Sequence, residues 1–282
     1  MNQYQLDIKD KVVVITGAGG VLCSMFAKTL AAEGAKVALL NRTLAHAEVY
    51  ADEITREGYT AKAYQVDVTS KKSLEAAHGQ VLADFGKCDI LINGAGGNHP
   101  SGTTTKEFFE TGDESAQDLV SFFDLDEAGI RFVFDLNFIG TLLTTQVFAA
   151  DMIGRKGCSI VNISSINADK PLTKIPAYSS AKAAINSLTQ WLAVHFSSSG
   201  IRVNAIMPGF FVTRQNKKML FNEDGSPTDR TKKILSSTPM ARFGDPKELN
   251  GALLFLVNEK AASFVTGVAI PVDGGFTAYS GV

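Results

Sequence analysis

Short apolar runs alternate with helical segments along the whole chain, and this alternation constrains the fold more than any other feature. The runs are rich in β-branched residues and occupy residues 11–16, 36–40, 61–66, 89–92, 159–163, 201–207 and 268–272. Helical segments lie between them at residues 21–32, 44–57, 71–85, 132–153, 177–196 and 246–256, and Asp245, Pro246 and Glu248 predict a capping box for the last one. The pattern predicts a single-domain α/β fold, a doubly wound parallel sheet of about seven strands with helices on both faces.

The turn after the first run is rich in glycine and leads directly into a helical segment. A helix N-terminus offers free N–H groups and the positive end of the helix dipole, and both favour a phosphate. A glycine-rich turn between a strand and a helix can also be purely structural. If this turn is instead a phosphate site of the Rossmann type, it would bind a dinucleotide through Gly17, Gly19, Gly20, Val21 and Leu22.

Tyr178 and Lys182 stand four residues apart in a predicted helix, thirteen positions after Ser165. Side chains at this spacing share a helix face, about 5–6 Å apart at Cβ. Lowering a tyrosine pKa from about 10 to near 7 means stabilising the phenolate by about 4 kcal/mol, and one positive charge at about 4 Å supplies roughly that much. With Ser165 as a partner for the same substrate oxygen, the trio predicts carbonyl/alcohol redox chemistry. Tyrosine–lysine pairs are also common on ordinary helix surfaces, so the context of the pair must decide.

Composition and charge favour a soluble enzyme. Hydrophobic residues make up 45% of the chain and charged residues 20%. A net charge of −2 gives no reason to expect a nucleic-acid or anionic-membrane partner. No apolar stretch reaches the length of a membrane span, and residues 1–10 lack a signal-peptide core, so we expect a cytoplasmic protein. Cys23, Cys88 and Cys158 are scattered, which predicts neither disulfides nor a metal site.

Several further motifs place the pair in a known context. They are Asn93 to Gly96 after the fourth run, Asn137, Pro208 and Gly209 followed by Thr213, and Val272 to Gly275. With Ser165, Tyr178 and Lys182, they make the chain resemble the short-chain dehydrogenase/reductase family over nearly its whole length. The resemblance implies a catalytic tetrad of Asn137, Ser165, Tyr178 and Lys182, in which Asn137 holds a water that relays protons to Lys182. It also implies that Lys182 keeps the phenol acidic.

The resemblance further implies a nicotinamide cofactor. Its contacts would be the glycine turn together with Asn41, Arg42, Asp67, Val68, Asn93, Gly94, Ala95, Tyr178, Lys182, Pro208, Gly209, Phe211 and Thr213. NAD-using members commonly carry an aspartate where Asn41 stands, and Arg42 could pair with a 2′-phosphate. We therefore favour NADP(H), and NAD(H) stays open as the alternative. Val21 and Cys23 replace two of the family's fingerprint glycines, which restricts the turn and adds bulk.

Residues 97–135 form a longer connection than the family usually has at this place, so we expect an insertion over the active-site mouth, opposite a substrate loop at about residues 210–243. The insertion and motifs near it resemble the subgroup of D-mannonate oxidoreductases, also called fructuronate reductases. That resemblance implies a sugar-acid substrate. Candidates for its carboxylate are His99, Lys106, Lys174 and Arg214, and candidates for its hydroxyls are Asn167, Gln215 and Asn216.

Two alternatives to this substrate remain open. One is another keto-sugar or gluconate-type dehydrogenase of the same family, and the other is a non-catalytic, cofactor-sensing protein on the same fold. The family also implies a homotetramer that is assembled through helix faces, including the face of the Tyr178 helix, and near the C-terminal strand. The apolar segment 190–196 fits burial against another subunit or against the core.

Overall fold

A parallel sheet of seven strands forms the centre of the molecule, in the order β3-β2-β1-β4-β5-β6-β7. It is seen in a computed structural model that describes residues 6–213 and 216–281. The strands are β1 (Val12–Thr16), β2 (Lys36–Asn41), β3 (Thr60–Gln65), β4 (Ile90–Asn93), β5 (Cys158–Ile163), β6 (Ile201–Pro208) and β7 (Ala269–Val272). The strand order reverses between β1 and β4, and ligands of such sheets bind at the carboxyl ends of the strands on either side of that point.

Helices cover both faces of the sheet. They are α1 (Val21–Ala32), α2 (Leu44–Arg56), α3 (Lys71–Asp84), α4 (Glu127–Phe134), α5 (Gly140–Phe148), α6 (Pro176–His195), α7 (Lys217–Leu220), α8 (Asp229–Ser236), α9 (Asn250–Val257) and α10 (Glu259–Ala262). Alternate residues of β1 point into opposite cores: Val13 and Ile15 pack with α1, α2 and α9, while Val12 and Val14 pack with α3, α5 and α6. The doubly wound α/β fold predicted from the sequence is confirmed.

The helix around Asn137 differs most from its prediction. It starts at Glu127 rather than at 132, because the Asp126 carboxylate caps it by accepting the Ala128 N–H. A π-helical turn at Asp135–Ile139 joins α4 to α5. The whole stretch from Glu127 to Met152 is long and apolar enough to cross a membrane by length and composition, contrary to the expectation that no stretch is. Here it packs as a core helix, with α5 against α3 and α4 against α6.

The predicted insertion is a folded loop up to residue 126. It contains short 3-10 turns at Pro100–Gly102, Asp113–Ser115 and Phe122–Asp124. Two hydrogen bonds close its middle part, residues 105–120: the Thr105 N–H donates to the Val120 carbonyl, and the Val120 N–H donates to the Thr105 hydroxyl, each at 2.9 Å. Inside it, the Lys106 ammonium binds the carboxylates of Glu110 and Asp113 at 2.7 and 2.8 Å.

Candidate active site

A cavity of about 1060 Å³ opens at the carboxyl ends of the central strands. Most of the predicted cofactor residues line it: Gly17, Gly19, Gly20, Val21, Leu22, Asn41, Arg42, Asp67, Val68, Gly94, Ala95, Pro208, Gly209, Phe211 and Thr213. Ser165, Tyr178 and Lys182 line the same cavity. Asn93 does not, because it is buried and its amide donates to Thr145 and Asn162 in the core below.

The glycine turn has the geometry of a phosphate cradle. Gly17 has a φ of +68°, and a Cβ at this position would lie 2.9 Å from the Ala95 backbone, so only glycine fits there. Gly20 caps α1 without a side-chain hydrogen bond. The first-turn N–H groups of α1, at Val21 and Leu22, therefore face the cavity with no side-chain cap in the way, as a bound pyrophosphate needs.

Cys23 replaces a fingerprint glycine without disturbing this turn. Its side chain is buried against Gly94, where an added Cβ would lie 2.1 Å from the Cys23 Sγ. The thiol thus occupies space that Gly94 leaves free. Burial raises the pKa of Cys23 to about 12, so the group stays a neutral thiol.

Asn41 braces the glycine turn from the neighbouring strand. Its Oδ1 accepts the Gly19 N–H at 3.3 Å, and its Nδ2 donates to the Thr43 carbonyl at 2.8 Å. Asn41 therefore stabilises the glycine turn, a role that its position in the sequence does not predict. The Arg42 side chain is exposed at the cavity rim.

Ser165, Tyr178 and Lys182 meet where β5 ends and α6 begins. Ser165 caps the 3-10 turn that follows β5, and its Oγ accepts the Asn167 N–H at 3.2 Å. The Lys182 Nζ lies 5.6 Å from the centre of the Tyr178 ring and donates to the Ile163 carbonyl at 2.8 Å. The predicted trio is therefore brought together at one end of the nucleotide cavity.

The electrostatics of this pair differ from the sequence argument. Burial raises the pKa of Tyr178, and the nearby Ser165 hydroxyl lowers it in part. Burial also lowers the pKa of Lys182 to about 8. The expected downward shift of the Tyr178 pKa is not found, because the phenolate is desolvated and the ammonium lies over the ring, bonded to the Ile163 carbonyl.

Asn137 is fully buried in the π-helical turn. Its Nδ2 donates to the carbonyls of Gly97 and Val133 at 2.7 and 2.8 Å, and its Oδ1 accepts the Gly97 N–H at 3.2 Å. The side chain thus anchors Gly97, the first residue of the predicted insertion, close to Lys182. The predicted water relay through Asn137 stays a prediction.

The predicted substrate residues are less well grouped. Asn216 lines the cavity, where its side chain binds the backbone of Phe211 and Thr213. His99, Asn167 and Lys174 do not line it. The His99 Nδ1 accepts the Ser101 N–H, and its ring packs on Phe132 of the cavity wall. Arg214 and Gln215 lie outside the described residues. Phe132, Asp135 and Leu136 also line the cavity. They were not predicted from the sequence, although they lie one to five residues before Asn137, which was a usable signal.

Comparison with known proteins places this geometry in a family. Residues 11–224 match the model of the short chain dehydrogenase family. The chain belongs to that family. It is 55% identical to a Haemophilus influenzae protein solved with bound NAD and provisionally described as a D-mannonate oxidoreductase, with 99% of each chain covered and a TM-score of 0.95.

Two curated relatives extend the comparison. A Bacillus subtilis protein named as the uncharacterized oxidoreductase UxuB is 51% identical over 98% of both chains. The 5-keto-D-gluconate 5-reductase of Escherichia coli K12 is 30% identical over 94% of both. This short-chain dehydrogenase is therefore an oxidoreductase that uses a nicotinamide cofactor and acts on CH–OH groups.

Proposed function

We propose that this protein transfers a hydride between nicotinamide and a sugar acid, with D-mannonate and D-fructuronate as the substrate pair. The proposed chemistry rests on one observation: Ser165, Tyr178 and Lys182 lie together at one end of the nucleotide cavity. The substrate rests on similarity over the full length to the H. influenzae protein described as a D-mannonate oxidoreductase.

The catalytic residues of the chain would divide the proton chemistry between them. Bound nicotinamide supplies the hydride for reduction and accepts it in the reverse direction. Tyr178 donates its phenolic proton to the alkoxide that develops on the substrate, and Ser165 hydrogen-bonds the same oxygen. The Lys182 ammonium favours the phenolate that remains. The first-turn N–H groups of α1 would hold the pyrophosphate.

The choice between NAD(H) and NADP(H) depends on three observations. Arg42 at the cavity rim supports NADP(H), the preference predicted from the sequence. The H. influenzae relative was solved with NAD, and the uncharged Asn41 side chain is held by Gly19 and Thr43. We propose NAD(H) as the working cofactor, and the ratio of kcat/KM for NADH and NADPH tests it.

A panel of keto-sugars tests the substrate. The purified protein, with NADH and NADPH in turn, should reduce D-fructuronate with the highest kcat/KM. The similarity to 5-keto-D-gluconate 5-reductase supports a second candidate, a gluconate-type reaction. A higher kcat/KM for 5-keto-D-gluconate would establish that alternative. Oxidation of neither cofactor by any keto acid would refute the proposed function.

A further inference from the structure

The cavity wall beyond β6 is a short stretch of chain, residues 209–213, which we call the wall segment. β5 and β6 are neighbours in the sheet, and the Ser164 N–H donates to the Ile206 carbonyl at 2.9 Å. The wall segment therefore leaves the sheet beside Ser165, at the same edge. Hydride transfer requires the nicotinamide to lie next to the substrate at Tyr178, so the wall segment would border the nicotinamide end of the cavity.

The first half of the wall segment is held by backbone contacts. The Gly209 N–H donates to the Val272 carbonyl at the end of β7, and the Gly244 N–H donates to the Phe210 carbonyl, each at 3.0 Å. Phe211 and Gly244 form an isolated β-bridge, and the Phe211 ring occupies the space that a side chain on Gly244 would need. These contacts fix the segment on the side that faces β7.

The second half of the wall segment is held by the side chain of Asn216. Its Oδ1 accepts the Thr213 N–H at 2.7 Å, and its Nδ2 donates to the Phe211 carbonyl at 2.8 Å. Asn216 also lines the cavity. Both polar atoms of the amide are therefore bonded to the backbone, so Asn216 shapes the cavity wall rather than presenting a free amide to the substrate.

Asn216 also connects the wall segment to the two helices that follow it. It directly precedes α7, and the Leu220 carbonyl at the end of α7 accepts the Thr228 N–H at 3.0 Å and the Thr231 hydroxyl at 2.5 Å. Leu220 and Thr231 are buried. α7 and α8 therefore form one unit, and the hydrogen bonds of Asn216 attach this unit to the cavity wall.

We propose that Asn216 is a positioning residue for the nicotinamide ring. By holding the Phe211 carbonyl and the Thr213 N–H, it keeps the wall segment in one conformation against which the carboxamide of the ring binds. A wall that is ordered before binding fixes the orientation of the ring at a smaller cost in entropy. This inference rests on the proposed placement of the cofactor in the cavity and does not depend on which substrate is reduced.

ADP-ribose separates this role from a general effect on the fold, because it is the cofactor without its nicotinamide ring. Asn216→Ala removes both hydrogen bonds, and Asn216→Asp replaces the donor to Phe211 with an acceptor. In each variant the Kd of NADH, measured by calorimetry, should rise roughly five- to ten-fold, whereas the Kd of ADP-ribose should stay within about two-fold of the wild-type value. Asn222→Ala is the matched control, because the Asn222 amide lies in the substrate loop but donates to the Ser226 hydroxyl, and neither Kd should change.

Two results would overturn the positioning role. Equal weakening of NADH and ADP-ribose would show that Asn216 supports the whole cofactor site rather than the ring. An unchanged Kd of NADH would also exclude the role, and a higher KM for the keto acid in that case would make Asn216 a partner for a substrate hydroxyl, as predicted from the sequence. Neither binding measurement needs turnover, so failure to reduce any keto acid would refute the proposed function alone.

Discussion

Tyr178 is the residue on which the proposed chemistry depends most directly. Tyr178→Phe removes only the phenolic oxygen, so the variant keeps the packing of α6 and has no group that can exchange a proton with the substrate. We expect kcat to fall by roughly two to four orders of magnitude. Cofactor affinity, followed by the fluorescence of bound NADH, and the melting temperature should stay near the wild-type values. Near-normal turnover would refute the role of Tyr178.

Lys182 makes a separate prediction about pH. Its pKa is lowered to about 8 in the folded protein, against about 10.4 in an unfolded chain. Between these values the unfolded state binds one more proton, so the stability attributable to Lys182 rises with pH, by up to about 1.4 kcal/mol per pH unit. The burial penalty is therefore complete below pH 8 and is relieved as pH increases from there.

Urea denaturation of the cofactor-free protein at pH 7 to 9.5, with Lys182→Met as the reference, measures this effect. Above pH 8, the free energy of unfolding of the wild type should increase with pH relative to that of the variant. Both proteins keep Cys23, whose pKa is raised to about 12, so its contribution cancels in the comparison. A difference that does not change with pH would show that Lys182 keeps its ordinary pKa.

The contact between Cys23 and Gly94 explains how the fold accommodates Cys23 at a position where the family's nucleotide-binding fingerprint has a glycine. A Cβ on Gly94 would lie 2.1 Å from the Cys23 Sγ and 2.9 Å from the Thr16 carbonyl oxygen. Gly94→Ala should therefore destabilise the protein by roughly 1–3 kcal/mol in urea denaturation. Gly79→Ala is the control, because nothing lies within 4 Å of a Cβ on Gly79 in α3, and it should be neutral or stabilising.

Sequence motifs predicted which residues lie together at the candidate site, but they could not predict the contacts that hold the site in place. Periodicity placed Tyr178 and Lys182 on one helix face, but the further motifs of the family resemblance were needed to group them with Ser165, which follows the adjacent strand. The contacts of Asn41 with Gly19 and of Asn137 with Gly97 span 22 and 40 positions. They depend on which strands are neighbours, and no local pattern contains that information.

At the scale of elements, the long periodic segments were predicted well and the short polar ones were missed. All seven strands lie within a residue or two of their predicted places. The helices α7, α8 and α10 have only four to eight residues, which is too short for a periodic pattern to stand out. The insertion was predicted by its length alone, and its fold rests on the Thr105–Val120 closure and an internal ion cluster.

These hydrogen bonds allow the middle of the insertion to be removed while the rest of it stays in place. Because Thr105 and Val120 are hydrogen-bonded to each other, residues 106–119 can be replaced by two glycines without moving the flanking backbone. We expect the shortened protein to fold with an unchanged KM for the cofactor. Its kcat/KM for D-fructuronate should fall roughly ten-fold or more, if this segment covers the active-site mouth as predicted from the sequence. Equal activity on this substrate would assign the insertion a role outside catalysis.

At the scale of the whole molecule, exposed apolar side chains lie on two surfaces that the family resemblance implies for assembly. On α6, Trp191 and Val194 are 57% and 76% exposed, whereas Leu192 and Ala193 between them are buried. The apolar segment 190–196 thus supplies both a core face and an outer face. Near β7, the Phe264 side chain is 101% exposed. Large apolar groups left in solvent favour burial in an interface.

We expect a homotetramer of two-fold symmetry built from these two surfaces. Val194→Glu and Phe264→Glu each place a charge in one interface, so each variant should sediment as a dimer, and the double variant as a monomer. Val49→Glu is the control, because Val49 is 54% exposed on α2, away from both surfaces. Analytical ultracentrifugation of the wild type and the four variants measures the masses. A wild-type monomer, or a tetramer that survives both substitutions, would contradict this assembly.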